Sequence, residues 1–221
     1  SAHGGNRLTL GIAVDPASTP GDVVLWVSHS DGSINNGQEN SGIVSRLSGP
    51  GFSSIEDRIV GLPRAIANHA INEIQFGPDG RLYIAAGGNT GAGAANLANT
   101  EFGDRPEQPL SAAVLVADVN DPGFQGQCAT PIGQFGIPFT CDVSVYASGL
   151  RNSYDTVWHS NGSLYATDNG LGVTGTYPPV PTPPCTGLAD PNQHNPGRQS
   201  DLLLRILPGR YYGHPNPYRD E

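Results

Sequence analysis

The chain of 221 residues has no methionine, only three cysteines, and eleven basic side chains against twenty acidic ones. Each shortage excludes something. The acidic balance repels the phosphates of nucleic acid and the headgroups of anionic lipid, so no nucleic-acid partner is expected. No apolar run approaches the roughly 18 residues of a membrane-spanning helix, which leaves no segment for membrane insertion. The missing methionine and the initial serine lead us to expect a chain cut from a longer one, with any signal peptide removed. No stretch keeps a helical apolar period over three turns, and "LPRAIANHAI" is the nearest candidate. There is no paired-cysteine zinc motif and no serine nucleophile elbow. "GGNTGAGAANLANT" is rich in glycine but lacks the lysine and following helix of a phosphate cradle, so it reads as a flexible loop.

Glycine and proline, thirty and twenty residues, are abundant instead. They cluster between short alternating runs, as turns do in an all-β protein. In "NHAINEIQFGPDGRLYIAAGG" an alternating segment from Ile71 to Phe76 meets an Asp-Gly turn and a second segment from Leu82 to Ile84, a strong local hairpin signal. "DTVWHSNGSLYATDNG" repeats the pattern around Asn161-Gly162, and "LGIAVDPASTPGDVVLWVSHS" is a looser third copy. A hairpin repeated at intervals of about sixty to eighty residues suggests a repeat architecture. The expectation is a β-propeller of four-stranded antiparallel blades, with residues 1–221 one partial domain. An unclosed propeller leaves a strand edge at each end. Either the remainder of the propeller or another chain is expected to cover those edges.

Cys128 and Cys141 flank "CATPIGQFGIPFTC", a loop short enough for a local disulfide, which would leave Cys185 to find a partner elsewhere. Three reduced thiols in a cytosolic protein are the alternative. The disulfide reading places the protein outside the cell or in a periplasm. Asn161-Gly162-Ser163 is a glycosylation sequon, and equally an ordinary Asn-Gly turn.

Three motifs in order, "HAINEIQFGPDGRLYIAAGG", "SGLRNSYDTVWHSNGSLYATDNG" and "LLLRILPGRYYGHPNPY", resemble the soluble glucose/sorbosone dehydrogenases. These are six-bladed propellers that bind pyrroloquinoline quinone (PQQ) and calcium and oxidise sugars. The resemblance runs from about Leu10 to Tyr218 and implies that this chain covers about half a ring. It puts His69 where the family keeps its general base, a role that calls for a pKa near working pH. Arg151 and Asn152 fall in the "GLRN" motif that contacts the quinone, and guanidinium suits carboxylates and carbonyls. Asp168, Asn169 and Gly170, in "ATDNG", match the loop that supplies main-chain oxygens to calcium.

The sequence departs from the family pattern at three places. "AAGG" puts Gly87 where an aspartate usually orients the histidine, "DLLLRI" keeps Asp201 but places Leu202 and Leu204 at polar positions, and "YGHP" has His214 in place of tryptophan. Plainer roles stand beside the catalytic ones. His69 could bond backbone at a strand end, and Arg151 and Asn152 could tie blades together. His29 and His159 read as surface residues. His194 with Asp190, Asn192 and Asp201 could form a cation-binding loop. Two functions follow: a secreted PQQ-dependent sugar dehydrogenase acting on a sugar or glycan, or a catalytically silent extracellular propeller serving a scaffold, adhesion or binding role.

Overall fold

The structure, a computed structural model, describes residues 5–35, 37–95, 102, 105–128, 141–171, 175–177 and 197–221. Within them, eleven strands form three antiparallel sheets. Strands β1 (Arg7–Val14), β2 (Leu25–Asp31), β3 (Gly42–Ser48) and β4 (Ser54–Leu62) pair in sequence order. So do β5 (Ile71–Phe76), β6 (Leu82–Ala86), β7 (Ala113–Ala117) and β8 (Val143–Ser148). In the third sheet β9 (Ser153–Trp158), β10 (Leu164–Asp168) and β11 (Leu202–Ile206) follow the same meander. The first strands of the sheets are neighbours, β1 packing on β5 and β5 on β9. This is the expected all-β propeller built from consecutive blades.

The repeated hairpin opens each blade. Between β5 and β6 the Gly77 N–H donates to Arg81 O at 2.9 Å, and Gly80 adopts φ 77°, a conformation open to glycine. The Asp79 carboxylate holds the turn by accepting Arg81 Nε at 2.7 Å and the Tyr83 hydroxyl at 2.9 Å. Between β9 and β10, His159 N–H donates to Ser163 O, while Asn161 Oδ1 accepts the Ser163 N–H, each at 2.9 Å. The sequon asparagine thus serves its own turn. The third copy closes where Asp15 N–H donates to Val24 O at 2.9 Å, and the Asp15 carboxylate accepts Trp26 Nε1 at 2.8 Å.

β6 and β7 are buried along their whole length, which explains their unbroken apolar runs "LYIAA" and "AVLVA". One face of the middle blade packs with Trp26, Ile59 and Leu62 of the first, the other with Leu164 and Ile206 of the third. Trp26 stands edge-on to Phe76 at 5.7 Å, and Tyr83 meets Tyr146 and Trp158 at 5.0 and 5.1 Å. Such edge-to-face pairs favour one packing arrangement over others. Polar ties cross the blades near the inner strands. Ser28 Oγ donates to Asn72 O at 2.6 Å, and Asn72 Nδ2 donates to Asn152 Oδ1 and Ser153 O, both at 2.9 Å. Ile12 and Val14 on the first blade, and Leu202 and Leu203 on the third, are exposed.

Cys128 and Cys141 form the expected disulfide, with Cα atoms 5.0 Å apart. Cys185, Asp190, Asn192 and His194 lie outside the described residues. "LPRAIANHAI", the nearest candidate for a helix, is irregular from Pro63 up to β5, its chain pinned by an Ala65 N–H to His69 O bond. Two local expectations are corrected. His29 is buried inside β2, where Nδ1 accepts Arg7 Nε at 2.9 Å and Nε2 lies 2.8 Å from Ser45 Oγ. Alternation puts Trp26, Ser28 and Ser30 on one face of β2 and His29 on the other, where its polar partners come from β1 and β3. Residues 87–93 of the expected flexible loop are packed, with Asn89 and Thr90 fully buried. No helix of the described residues is long and apolar enough to cross a membrane.

Glu73 faces the junction of the second and third blades, where burial and the neighbouring Asp155 push its carboxyl up to about 7. A raised folded-state pKa contributes stability below the ordinary value near 4.5, and that contribution is lost as pH rises through 7. Replacement Glu73→Gln, which has no proton to lose, is therefore expected to raise the melting temperature at pH 8. The advantage should vanish at pH 4, as thermal unfolding at the two pH values will show.

Candidate functional site

Four loops that follow or precede strands meet at one end of the blades. They are residues 87–95 after β6, 149–152 before β9, 169–171 after β10 and 211–216 after β11. They bound a cavity of about 470 Å³ lined by Arg151, Asp168, Asn169, Leu202, Tyr212 and His214, among others. Its size is within the range of small-molecule sites.

Arg151 spans the cavity wall. Its Nε donates to Gly91 O at 3.1 Å, its Nη1 to Gly170 O at 3.2 Å, and its guanidinium lies 5.8 Å from the Phe102 ring centre. Asp168 turns back on the same loop and accepts the backbone N–H groups of Arg151 and Asn152 at 3.1 and 2.8 Å. Burial pushes its carboxyl up, against these two donors. Asn152 is buried away from the cavity, donating to Asn169 Oδ1 at 3.1 Å and accepting from Asn72. The structure thus brings Arg151, Asp168 and Asn169 to the cavity and leaves Asn152 behind it as a tie between blades.

His69 is buried beside this wall without lining it. Its Nδ1 is 2.9 Å from Gly88 O, an acceptor only, so Nδ1 carries the proton. Its ring stands edge-on to Phe102 at 4.6 Å, the same ring that Arg151 covers. Burial first, then the Arg151 charge, lowers the His69 pKa from 6.5 to about 3. Gly87 shows why no aspartate stands beside it. A Cβ there would meet Asn152 Oδ1 at 2.7 Å and His69 Cα at 2.9 Å.

A second histidine does have a carboxylate. His214 Nε2 is 2.9 Å from Glu107 Oε1, and both side chains are buried. Glu107 also accepts the Asn89 and Thr90 N–H groups at 3.0 Å each, the Thr90 hydroxyl at 2.6 Å, and the Ser111 hydroxyl. Burial works against its charge, but His214, Ser111 and Thr90 outweigh it and hold the carboxyl at about 2. The unusual histidine of "YGHP" is the sequence signal for this pair. Glu107, in "DRPEQPL", carries no pattern that separates it from a surface glutamate.

Of the main-chain oxygens expected to face calcium, that of Gly170 accepts a protein donor, and side-chain oxygens of the same loop are engaged as well. Asp168 caps two backbone N–H groups, Asn169 Oδ1 accepts Asn152 Nδ2, and Gly170 O accepts the Arg151 guanidinium. Asp201 is likewise occupied, accepting Gly170 N–H at 3.0 Å. Calcium takes six to eight oxygens, and the side-chain oxygens of this loop are committed to protein donors. Among the described residues no three histidine, cysteine, aspartate or glutamate side chains cluster as a metal site. A quinone fits better, because the cavity is large enough and Arg151 places a cation on its wall.

No family model and no curated protein matches the sequence. Solved structures do resemble the fold. The PQQ-bound form of aldose sugar dehydrogenase from Streptomyces coelicolor superposes with a TM-score of 0.52 at 19% identity, over 93% of this chain and 47% of that one. An oxidoreductase of glucose dehydrogenase type from Thermus thermophilus gives 0.55 at 21% identity, over 93% and 50%. The chain spans about half the length of these structures, and the likeness is one of propeller fold.

Two outcomes follow from the packing. Gly87→Ala should destabilise by about 1–3 kcal/mol in urea unfolding, because the new methyl has no space. Glu107→Gln should cost on the order of 3 kcal/mol at neutral pH. The depressed carboxyl contributes stability above its ordinary 4.5 and loses it as pH falls toward 2. The gap between parent and variant should therefore narrow in acid, measured by unfolding at pH 7 and pH 3.

Proposed function

We propose that this chain is part of an extracellular or periplasmic oxidoreductase of the soluble sugar dehydrogenase kind, using PQQ to oxidise a sugar hydroxyl. One observation carries the reading. "GLRN" and "ATDNG" of the second resembling motif, and "YGHP" of the third, further along the chain, converge on a single cavity. The fold shared with two sugar dehydrogenase-type structures supports it. The disulfide supports an oxidising compartment. Arg151 would hold the quinone's carboxylates, and Tyr212 and Leu202 would flank it. When bound, the quinone supplies the two-electron acceptor. The chain's own residues bind and orient the ligands, exclude water and accept the hydroxyl proton. The resemblance gives that last role to His69.

The second reading, a silent propeller with a scaffold, adhesion or binding role, is favoured by the engagement of the calcium-loop oxygens and by Asn152 facing away from the cavity. Titration of the protein with PQQ, with and without calcium, separates the two. The enzyme reading expects a shift in quinone absorbance, then reduction of an artificial electron acceptor on adding aldoses. Arg151→Ala should weaken quinone binding at least tenfold. Absence of both the absorbance shift and aldose oxidation would leave the binding-module reading.

A further inference from the structure

We infer that His214, positioned by Glu107, is the residue that takes the proton from a hydroxyl bound in the cavity, a role that rests on the dehydrogenase reading above. The histidines of the described residues differ in what their rings can reach. His29 uses both ring nitrogens on Arg7 and Ser45, inside a blade. His159 sits in an exposed turn with Nδ1 accepting Asn161 N–H. His69 lies behind Phe102 and does not line the cavity. His214 alone among them lines the cavity.

The geometry also decides the tautomer. Every other group around the Glu107 carboxylate is a donor: two backbone N–H groups and the Thr90 and Ser111 hydroxyls. A carboxylate satisfied in this way is ionised and acceptor-only, so the proton between the pair belongs to His214 Nε2. The lone pair is then on Nδ1, which has no hydrogen-bond partner among the described residues. The backbone holds the ring in place, because His214 N–H donates to Gly149 O at 2.8 Å. A carboxylate behind one nitrogen fixes the ring and its tautomer, leaving the lone pair on the other.

The titratable groups near this ring are Glu107, Asp168 and the neutral His69, with Arg151 on the same cavity wall. In the step proposed, the hydroxyl O–H bond breaks and its proton joins Nδ1. The C–H bonding pair leaves as hydride to an oxidant of quinone class, and a C=O bond forms. The carboxylate and its four other donors persist through the step, so the site reorganises little. The departure from the family at "YGHP" and the buried glutamate with which it pairs form one device.

Two measurements test this on the whole protein. The first needs no cofactor. Nitrogen-15 spectra of the histidine side chains should show His214 at neutral pH protonated on Nε2, with a strongly downfield proton that disappears in Glu107→Gln. A His214 protonated on Nδ1 alone, or unchanged by Glu107→Gln, overturns the positioning role. The second uses the PQQ-loaded protein and glucose. His214→Gln, which keeps an amide donor for Glu107, should lower kcat at least a hundredfold while PQQ affinity stays within threefold, in the range expected of a lost general base. Should His214→Gln fail to fold, His214→Asn is read in the same way. A variant that keeps kcat within twofold overturns the proposal and leaves the dehydrogenase reading intact. Absence of oxidation by the loaded parent protein overturns both.

Discussion

The architecture follows from one constraint: a sheet whose two faces are both apolar must have another sheet on each side. The middle blade is such a sheet. Tyr83 and Val114 face the third blade while Leu82, Ile84 and Leu115 face the first, and all are buried. Once three sheets are stacked in this way, several polar ties between blades run through the inner strands. The ties from Ser28 to Asn72 and from Asn72 to Asn152 exist because a buried amide left unpaired would cost more than the bond returns. The cavity sits where the loops of the second and third blades converge.

Two histidines a few residues' reach apart show how differently a propeller end can treat one side-chain type. His69 is buried next to a cation, which keeps it neutral against the pull of the carbonyl it bonds. His214 is next to a carboxylate, which fixes which nitrogen bears the proton. The distinction comes from the loop after β6. Its close turn at Gly87 excludes a carboxylate beside His69, and its Asn89 and Thr90 N–H groups help bind the Glu107 carboxylate near His214.

Much of the fold was legible because its signals are local. Asp-Gly and Asn-Gly turns between alternating runs mark the hairpins at Asp79-Gly80 and Asn161-Gly162, and the cysteine spacing marks the Cys128–Cys141 bridge. The cavity was legible in part, through Arg151, Asp168 and Asn169. What could not be read depends on contacts distant in sequence. The fate of the Asn152 amide is set by Asn72, eighty residues earlier. Glu107 and His214 meet across 107 positions, with no periodicity to connect them. His29 lies in an alternating strand, but nothing nearby announces Arg7 and Ser45 as its partners.

Arg151 fastens the loop at Gly91 to the loop at Gly170 through two carbonyls and lies over Phe102. Any anion that recruits this guanidinium competes with those carbonyls, so its affinity measures an exchange of partners and not a simple addition. By reciprocity, holding the two loops together and holding the anion are coupled equilibria. A crosslink between the loops would change anion affinity without touching the ligand, and the sign of that change would tell whether the fastened or the released arginine is the receptive form.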